Sequence, residues 1–355
     1  MGKQATRPNL AAVILTTLAV ALAAFLIVVG TTRAAGGNSF TVHNLVSDGG
    51  VPADHTDPNL VNGWGLARST TSPWWVADNE TDVSTLYQGN GTQGSLVVRV
   101  PGGPTGAVFN GTSGFVLRGV GPARFLFATE AGTIRGWNPS VAPTEAVIAA
   151  TRATANYKGL AIGSTAEGPR LYATDFHNGR VDVFNATFNV LSRPGAFVDP
   201  NLPEGYGPFG IQNLGGLIYV TYAKQDADRE DEVAGPGLGL VDVYDTSGTF
   251  LRRVATGGAL NAPWGLTRAP TGFGEFGGDL LVGNFGDGRI NAYRVTAQGP
   301  YAAHGTLRDT SRAPIVIDGL WGIDFGNGAG AGPTTSLFFA AGPDDETHGV
   351  FGVIQ

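Results

Sequence analysis

The chain has 355 residues, of which 42% are hydrophobic, enough for a large buried core. Its 55 glycines and 21 prolines are typical of many short strands joined by turns. The net charge of −7 and the lack of a basic run argue against nucleic acid as a partner, because such a chain repels the phosphate backbone. Since the sequence has no cysteine, it excludes disulfides, thiolate metal sites and a cysteine nucleophile.

The N-terminal segment differs in character from the rest of the chain. Lys3 and Arg7 precede an uncharged apolar run from Leu10 to Gly30, and small residues follow it. This order is typical of an export signal, and the run is also long enough to span a bilayer. Residues 1–36 are therefore predicted to be a cleaved signal peptide or an N-terminal membrane anchor. In both cases residues 38–355 are expected to be exported, extracellular or in the cell envelope, and to touch a membrane only through an uncleaved N-terminal segment.

A short phrase with a central glycine recurs six times after this segment. The six phrases are Trp64–Ala67, Thr105–Val108, Lys158–Ala161, Phe209–Gln212, Trp264–Thr267 and Trp321–Asp324. Their glycines lie 41, 53, 51, 55 and 57 residues apart, which is the spacing of propeller blades with loop insertions. Repeated units that cannot bury their own faces stack on their neighbours around an axis. The pattern therefore predicts an all-β, six-bladed β-propeller in which each phrase opens an inner strand.

The segments between the phrases indicate how each blade is built and how the ring closes. Nearly continuous apolar runs such as Trp74–Ala77 and Leu337–Ala340 are typical of second strands buried on both faces. Alternating runs such as Val181–Phe184 indicate half-buried third strands. The last repeat lacks an outermost strand, and Phe40–Val46 has no other partner. We predict that it pairs with Phe351–Ile354 as an N-terminal outer strand and closes the ring.

Polar residues gather at one end of the predicted channel. The inner strands are expected to begin at the upper face, and the second strands return to it. The openings of the six phrases and the hairpins after the second strands therefore meet at the upper face, which is the usual place for a ligand of a propeller. The predicted ligand-binding residues are Trp64, Lys158, Asn178, Trp264, Asp287, Trp321, Asp344 and Glu346. For the three tryptophans, the sequence favours packing between inner strands, and stacking on a ligand is the alternative.

Four hairpins carry a carboxylate or amide at a similar position. These residues are Asn79, Glu130, Asp175 and Asn284. Such oxygen ligands suit a divalent cation, and calcium accepts the remaining water ligands more readily than magnesium. The sequence nevertheless favours the other reading, in which each side chain caps its own turn. His177 and His348 lie in two of the hairpins and are candidates for a general acid or base, although a turn histidine bonded to backbone is an equal alternative for His177.

The motifs do not identify a reaction. The sequence contains no HExxH motif, Gly-x-Ser-x-Gly elbow or Walker loop. The expected function is therefore binding of a small molecule, polysaccharide or protein at the upper mouth. One alternative is a metal-dependent hydrolase or lyase that uses the four hairpin residues and a histidine. Another is a protein-interaction scaffold that uses the acidic insert of residues 225–232, although its lack of EF-hand spacing favours a solvated loop.

Seven stretches of the chain carry a resemblance to a known family. They are Val61–Ala67, Trp75–Asn79, Phe127–Glu130, Tyr172–Val183, Tyr219–Asp228, Val282–Ile290 and Ala341–Gly352. Over residues 40–355 the sequence resembles uncharacterised exported bacterial propellers that are often found in genomes with the PEP-CTERM sorting system. The chain ends at Gln355 without their Pro-Glu-Pro segment, so it is not expected to be a sorting substrate. More distantly it resembles NHL-type and gluconolactonase-type propellers, some of which bind a divalent metal in the channel mouth.

Overall fold

The computed structural model describes residues 1–2, 37–295 and 299–355. The predicted export or anchor segment, apart from residues 1–2, therefore lies outside the described residues. Within the described ranges, no helix is both long and apolar enough to cross a bilayer. The one helical segment that the structure describes there is a short 3-10 turn, Gly274–Phe276.

Six sheets form the blades of the described part of the chain, and their strands pair antiparallel except for one short parallel pair in blade six. Blade one contains Gly63–Ala67, Trp74–Asp78, Val83–Tyr87 and Val98–Arg99. Blade two contains Pro104–Phe109, Phe125–Thr129, Thr133–Trp137 and Val147–Thr151, with a small added hairpin, Val116–Leu117 and Gly121–Pro122. Blade three contains Tyr157–Thr165, Gly168–Asp175 and Arg180–Asn185.

The last three blades complete the ring. Blade four contains Tyr206–Leu214, Leu217–Lys224, Leu240–Tyr244 and Phe250–Thr256. Blade five contains Pro263–Arg268, Leu280–Asn284, Ile290–Val295 and Tyr301–Thr306. Blade six contains Leu320–Phe325, Leu337–Ala341, Val350–Ile354, Val42–Ser47 and His55–Thr56. The predicted six-bladed propeller is confirmed.

The recurring glycines lie where the inner strands of neighbouring blades touch. A Cβ on Gly65 would lie 2.4 Å from the carbonyl oxygen of Thr105 in blade two, and one on Gly322 would lie 2.5 Å from that of Trp64 in blade one. The other four phrase glycines meet the next inner strand in the same way: Gly106, Gly159, Gly210 and Gly265. Because only glycine fits these approaches, the residue recurs once per blade.

The hydrophobic core lies between the blades. Every residue of Trp74–Asp78 and of Leu337–Ala341 is buried, as predicted for second strands with a neighbouring sheet on each face. Burying one large aliphatic or aromatic side chain contributes about 1.5–3 kcal/mol. The ring of sheets therefore gains most of its stability from blade-to-blade packing.

The predicted closure of the ring is also confirmed. Val42–Ser47 pairs antiparallel with Val350–Ile354, from Val42 opposite Ile354 to Ser47 opposite Val350. The ladder has a bulge between Asn44 and Val46. Blade six is thus built from both ends of the described propeller, and its closing seam is a backbone ladder.

Candidate ligand-binding site

The inner strands leave little free space along the central axis. They surround a cavity of about 30 Å³, which is roughly the volume of one water molecule. Its lining includes the phrase glycines Gly65, Gly106, Gly265 and Gly322. A ligand larger than water therefore has to bind at an end of the channel, not inside it.

Three tryptophans form a floor beneath the upper mouth, the end at which the inner strands begin. The rings of Trp64 and Trp321 stack with centroids 3.4 Å apart, and Trp264 meets both edge-on at 6.0 and 5.7 Å. Their exposed fractions are 2%, 0% and 9%. We call these three residues the aromatic floor. Their burial agrees with the packing role that the sequence favours over ligand stacking.

The hydrogen bonds of the aromatic floor are incomplete. Trp321 Nε1 donates to Asn62 Oδ1 at 3.0 Å, and Trp264 Nε1 donates to the carbonyl oxygen of Lys158 at 2.8 Å. Trp64 Nε1 is buried and has no hydrogen-bond partner among the described residues. A buried donor without a partner is uncommon and calls for a physical explanation.

Lys158 lies above the floor with its side chain buried. Its Nζ donates to Glu130 Oε1 at 2.5 Å and to Asp231 Oδ1 at 3.2 Å, and lies 5.4 Å from the ring centroid of Trp64. Burial alone would lower the pKa of Lys158, but Glu130, Asp231 and Glu232 together raise it. The mouth therefore holds a charged ammonium group between carboxylates and an aromatic face.

Two further carboxyl groups interact electrostatically with this ammonium group. Burial raises the pKa of Glu346 to about 7, although Asn62 and Lys158 act to lower it. Burial likewise raises the pKa of Glu232 to about 8, against the lowering effect of Lys158. Asn62 Nδ2 donates to Glu346 Oε2 at 2.8 Å. Both acids are thus partly protonated near neutral pH.

The acidic insert of residues 225–232 folds onto the mouth. Asn156 Nδ2 donates to Glu230 Oε2 at 2.7 Å, His177 Nδ1 lies 2.9 Å from Glu230 Oε1, and Asp231 binds Lys158. Residues 227–231, including Glu230 and Asp231, are nevertheless exposed. The insert is therefore a solvated loop, as expected, but polar contacts tie it to blade three.

The structure brings together some of the predicted ligand-binding residues and separates others. Trp64, Lys158, Trp264, Trp321 and Glu346 all take part in the mouth or its floor. Asn178 and Asp287 instead bond within their own hairpins: Asn178 Nδ2 donates to Asp175 Oδ2 at 2.8 Å, and Asn284 Nδ2 donates to Asp287 Oδ1 at 2.9 Å.

The four predicted metal ligands form one pair and two separate turn caps. Asn79 Nδ2 donates to Glu130 Oε2 at 3.0 Å at the mouth. Asp175 and Asn284 are buried in the hairpins just described. Within residues 37–295 and 299–355, no group of three or more His, Asp or Glu side chains is placed to hold a metal ion. Calcium binding stays a prediction.

Asp344 and His348 lie on either side of Glu346, in the last connection of blade six. Asp344 is exposed, and residues 344, 345 and 346 have φ angles of +58°, +50° and +66°. His348 Nδ1 lies 2.7 Å from Asp48 Oδ2 at the closing seam, and this contact raises the pKa of the histidine. The structure thus gives His348 a partner at the seam.

Sequence reasoning missed two asparagines and two acids of the mouth. Asn62 and Asn156 each stand two residues before a phrase, so their shared position was a signal that could have found them. Asp231 and Glu232 belong to the insert, whose contacts with blade three join residues more than 70 positions apart. No local pattern indicates such a contact.

Comparisons with known proteins identify relatives and fold neighbours. No protein-family model matches the chain. Two uncharacterized proteins of Acanthamoeba polyphaga mimivirus are each 34% identical to it. One alignment covers 89% of this chain and 80% of the relative, and the other covers 88% and 85%. The relatives are viral, so the expected link to exported bacterial propellers gains no support from them.

Three solved structures are similar in fold. A protein of unknown function from Bacteroides thetaiotaomicron has a TM-score of 0.58 at 11% identity, covering 89% of this chain and 76% of that one. A glucose dehydrogenase has a TM-score of 0.55 at 13% identity, covering 88% and 99%. Virginiamycin B lyase from Staphylococcus aureus has a TM-score of 0.51 at 12% identity, covering 89% and 99%. At these identities the likeness shows the fold alone. The chain is a six-bladed β-propeller that belongs to the same family as the two mimivirus proteins.

Proposed function

We propose that the protein binds a ligand at the upper mouth of its channel, in the exported compartment that its N-terminal segment predicts. The observation that carries this proposal is a pair of buried polar atoms without partners among the described residues, Trp64 Nε1 and Asn156 Oδ1. Trp64 belongs to the aromatic floor, and Asn156 stands two residues before Lys158. Leaving such an atom unpaired costs about 1–3 kcal/mol. A ligand that supplies the missing partners offsets this cost.

The backbone that presents Glu346 supports the same proposal. Three consecutive residues other than glycine, Asp344, Asp345 and Glu346, lie in the left-handed region. Each such residue costs roughly 1–2 kcal/mol relative to the right-handed conformation. The resulting turn directs the carboxylate of Glu346 to Asn62 at the mouth. Strain of this kind concentrates at binding and catalytic sites.

The acidic insert provides a route to the buried atoms. Its contacts with blade three are the ion pair from Asp231 to Lys158 and the contacts of Glu230 with Asn156 and His177. A segment held by exposed polar contacts opens at a lower free energy than a packed strand. The insert is therefore the part of the mouth that moves aside when a ligand enters.

A thermal-shift screen of small molecules and oligosaccharides tests the proposal. A ligand of the mouth should raise the melting temperature of the full-length protein but have a much smaller effect on Glu346→Gln. Glu145→Gln is the matched control, because Glu145 pairs with Arg99 in the outer strand of blade one and with no residue of the mouth. Ligands that stabilise all three proteins equally would place the site elsewhere and contradict the proposal.

The two alternative functions have less support in the geometry. A metal-dependent hydrolase or lyase would need Asp175 and Asn284 to turn away from their own hairpins. A scaffold that docks partners on the acidic insert would compete with the contacts of Asp231 and Glu230 at the mouth. Titration of the chelated protein with calcium and manganese tests the first alternative. The second is tested by comparing the partners captured by the intact protein with those captured by a protein that lacks the insert.

A further inference from the structure

The upper mouth contains more negative than positive charge. Among the described residues, the carboxyl groups of Glu130, Asp231, Glu232 and Glu346 influence one another around the single ammonium of Lys158. Bound protons neutralise part of this excess negative charge, because burial raises the pKa of Glu346 to about 7 and that of Glu232 to about 8. A second cation would replace these protons and pair with the ionised acids.

Lys158 shows how this mouth binds an ammonium group. Its Nζ lies beside carboxylate oxygens of Glu130 and Asp231 and 5.4 Å from the ring centroid of Trp64. Carboxylates combined with an indole face are the surroundings in which proteins bind organic ammonium ions. The site is therefore chemically suited to a second ammonium group brought by a ligand.

The two unpartnered buried atoms specify more of this ligand. Asn156 Oδ1 is an acceptor, since Asn156 Nδ2 already donates to Glu230, and the residue is 7% exposed. It suits an ammonium N–H. Trp64 Nε1 is a donor in a residue that is 2% exposed, and needs an acceptor oxygen. A neutral oxygen fits better than an anionic one, because the mouth already has excess negative charge. A simple alkylammonium leaves Trp64 unpaired, while a neutral sugar leaves the excess negative charge without a partner.

We propose that the ligand of the mouth is a protonated amine that also carries a neutral oxygen acceptor, the chemistry of an amino alcohol or an amino sugar. This inference rests on the proposed function and names its ligand class. The ammonium group pairs with the carboxylates and Asn156 Oδ1, and the oxygen accepts from Trp64 Nε1. Binding requires the insert to move aside and return over the ligand.

Calorimetry of the full-length protein with four probes tests the ligand class. Ethanolamine and D-glucosamine carry both groups, methylammonium carries only the charge, and D-glucose carries only the oxygens. The first two probes should bind about tenfold more tightly than the last two, which corresponds to about 1.4 kcal/mol. They should also release protons near pH 7, seen when the titration is repeated in buffers of different ionisation enthalpy.

Two variants locate the binding at the mouth. Trp64→Phe keeps an aromatic face but lacks the N–H, so it should weaken D-glucosamine about tenfold and leave methylammonium unchanged. Glu346→Gln should reduce the proton release, and Glu145→Gln should behave as the wild type. If Trp64→Phe does not fold, Asn156→Ser replaces it, with weaker binding of ethanolamine and D-glucosamine expected.

The outcomes separate this inference from the proposed function. If D-glucose binds as tightly as D-glucosamine and depends on Glu346, the mouth is a ligand site but the amine class is wrong. If neither ethanolamine nor D-glucosamine binds at millimolar concentration, or if Trp64→Phe and Glu346→Gln change nothing, the inference is overturned. In the second case the thermal-shift screen still decides whether the mouth binds another ligand.

Discussion

A single added methyl group at the centre of the ring should destabilise the protein. At Gly210 the new Cβ would lie 2.0 Å from the carbonyl oxygen of Trp264, and that backbone belongs to the next inner strand. Overpacking of this kind typically costs about 1–3 kcal/mol. We expect Gly210→Ala to lower the free energy of unfolding by about 2 kcal/mol or more, measured by urea denaturation. Gly272→Ala is the control, because the nearest atom to a Cβ at Gly272 is Thr335 Cγ2 at 3.9 Å, and it should be as stable as the wild type. If the two variants have equal urea midpoints, close contact between inner strands does not explain the phrase glycines.

The acids of the mouth should make stability depend on pH. The folded protein binds protons at Glu346 and Glu232 more tightly than the unfolded chain, since their pKa values rise from the ordinary 4.5 to about 7 and about 8. Their stabilising contribution is complete below the unfolded pKa and is lost as the pH rises through the folded values. The melting temperature of the wild type should therefore fall between pH 5 and pH 8 more than that of the double variant Glu232→Gln and Glu346→Gln. Other titrating groups, such as His348 with Asp48, are common to both proteins and cancel in the comparison. Parallel curves would contradict this prediction.

At the scale of strands and loops, the sequence predicted what depends on local pattern. The second strand predicted at Trp74–Ala77 is found at Trp74–Asp78, because burial on both faces leaves a continuous apolar run. The outer strand was predicted because it had no other partner and because the last blade would otherwise keep an unpaired strand edge. Blade architecture was therefore accessible from the sequence alone.

The chemistry of the loops was less accessible. Asn178 and Asp287 have the same residue types as ligand-binding side chains, but hydrogen bonds with residues three positions away hold them in their own hairpins. The insert was expected to be solvated, yet Asp231 reaches Lys158 across the mouth. An ion pair between residues far apart in the sequence leaves no repeating pattern along the chain, so it is visible only in the folded structure.

For the whole molecule, the seam in blade six decides whether the ring stays closed. Val42–Ser47 supplies a backbone ladder to Val350–Ile354 and buries Leu45 and Val46 at 6% and 0% exposure. Deleting residues 38–47 removes both contributions and leaves Val350–Ile354 as a bare edge.

The deletion should therefore lower the free energy of unfolding by several kcal/mol, since the two side chains alone contribute about 1.5–3 kcal/mol each when fully buried. The measurement is the melting temperature of a chain that lacks residues 38–47, beside the full-length protein. A synthetic peptide of residues 38–47 should restore part of the lost stability by adding the strand back, whereas a peptide with Leu45 and Val46 replaced by aspartate should not. If the deleted chain melts within about a degree of the intact one, the inner-strand contacts and the aromatic floor hold the ring without its seam.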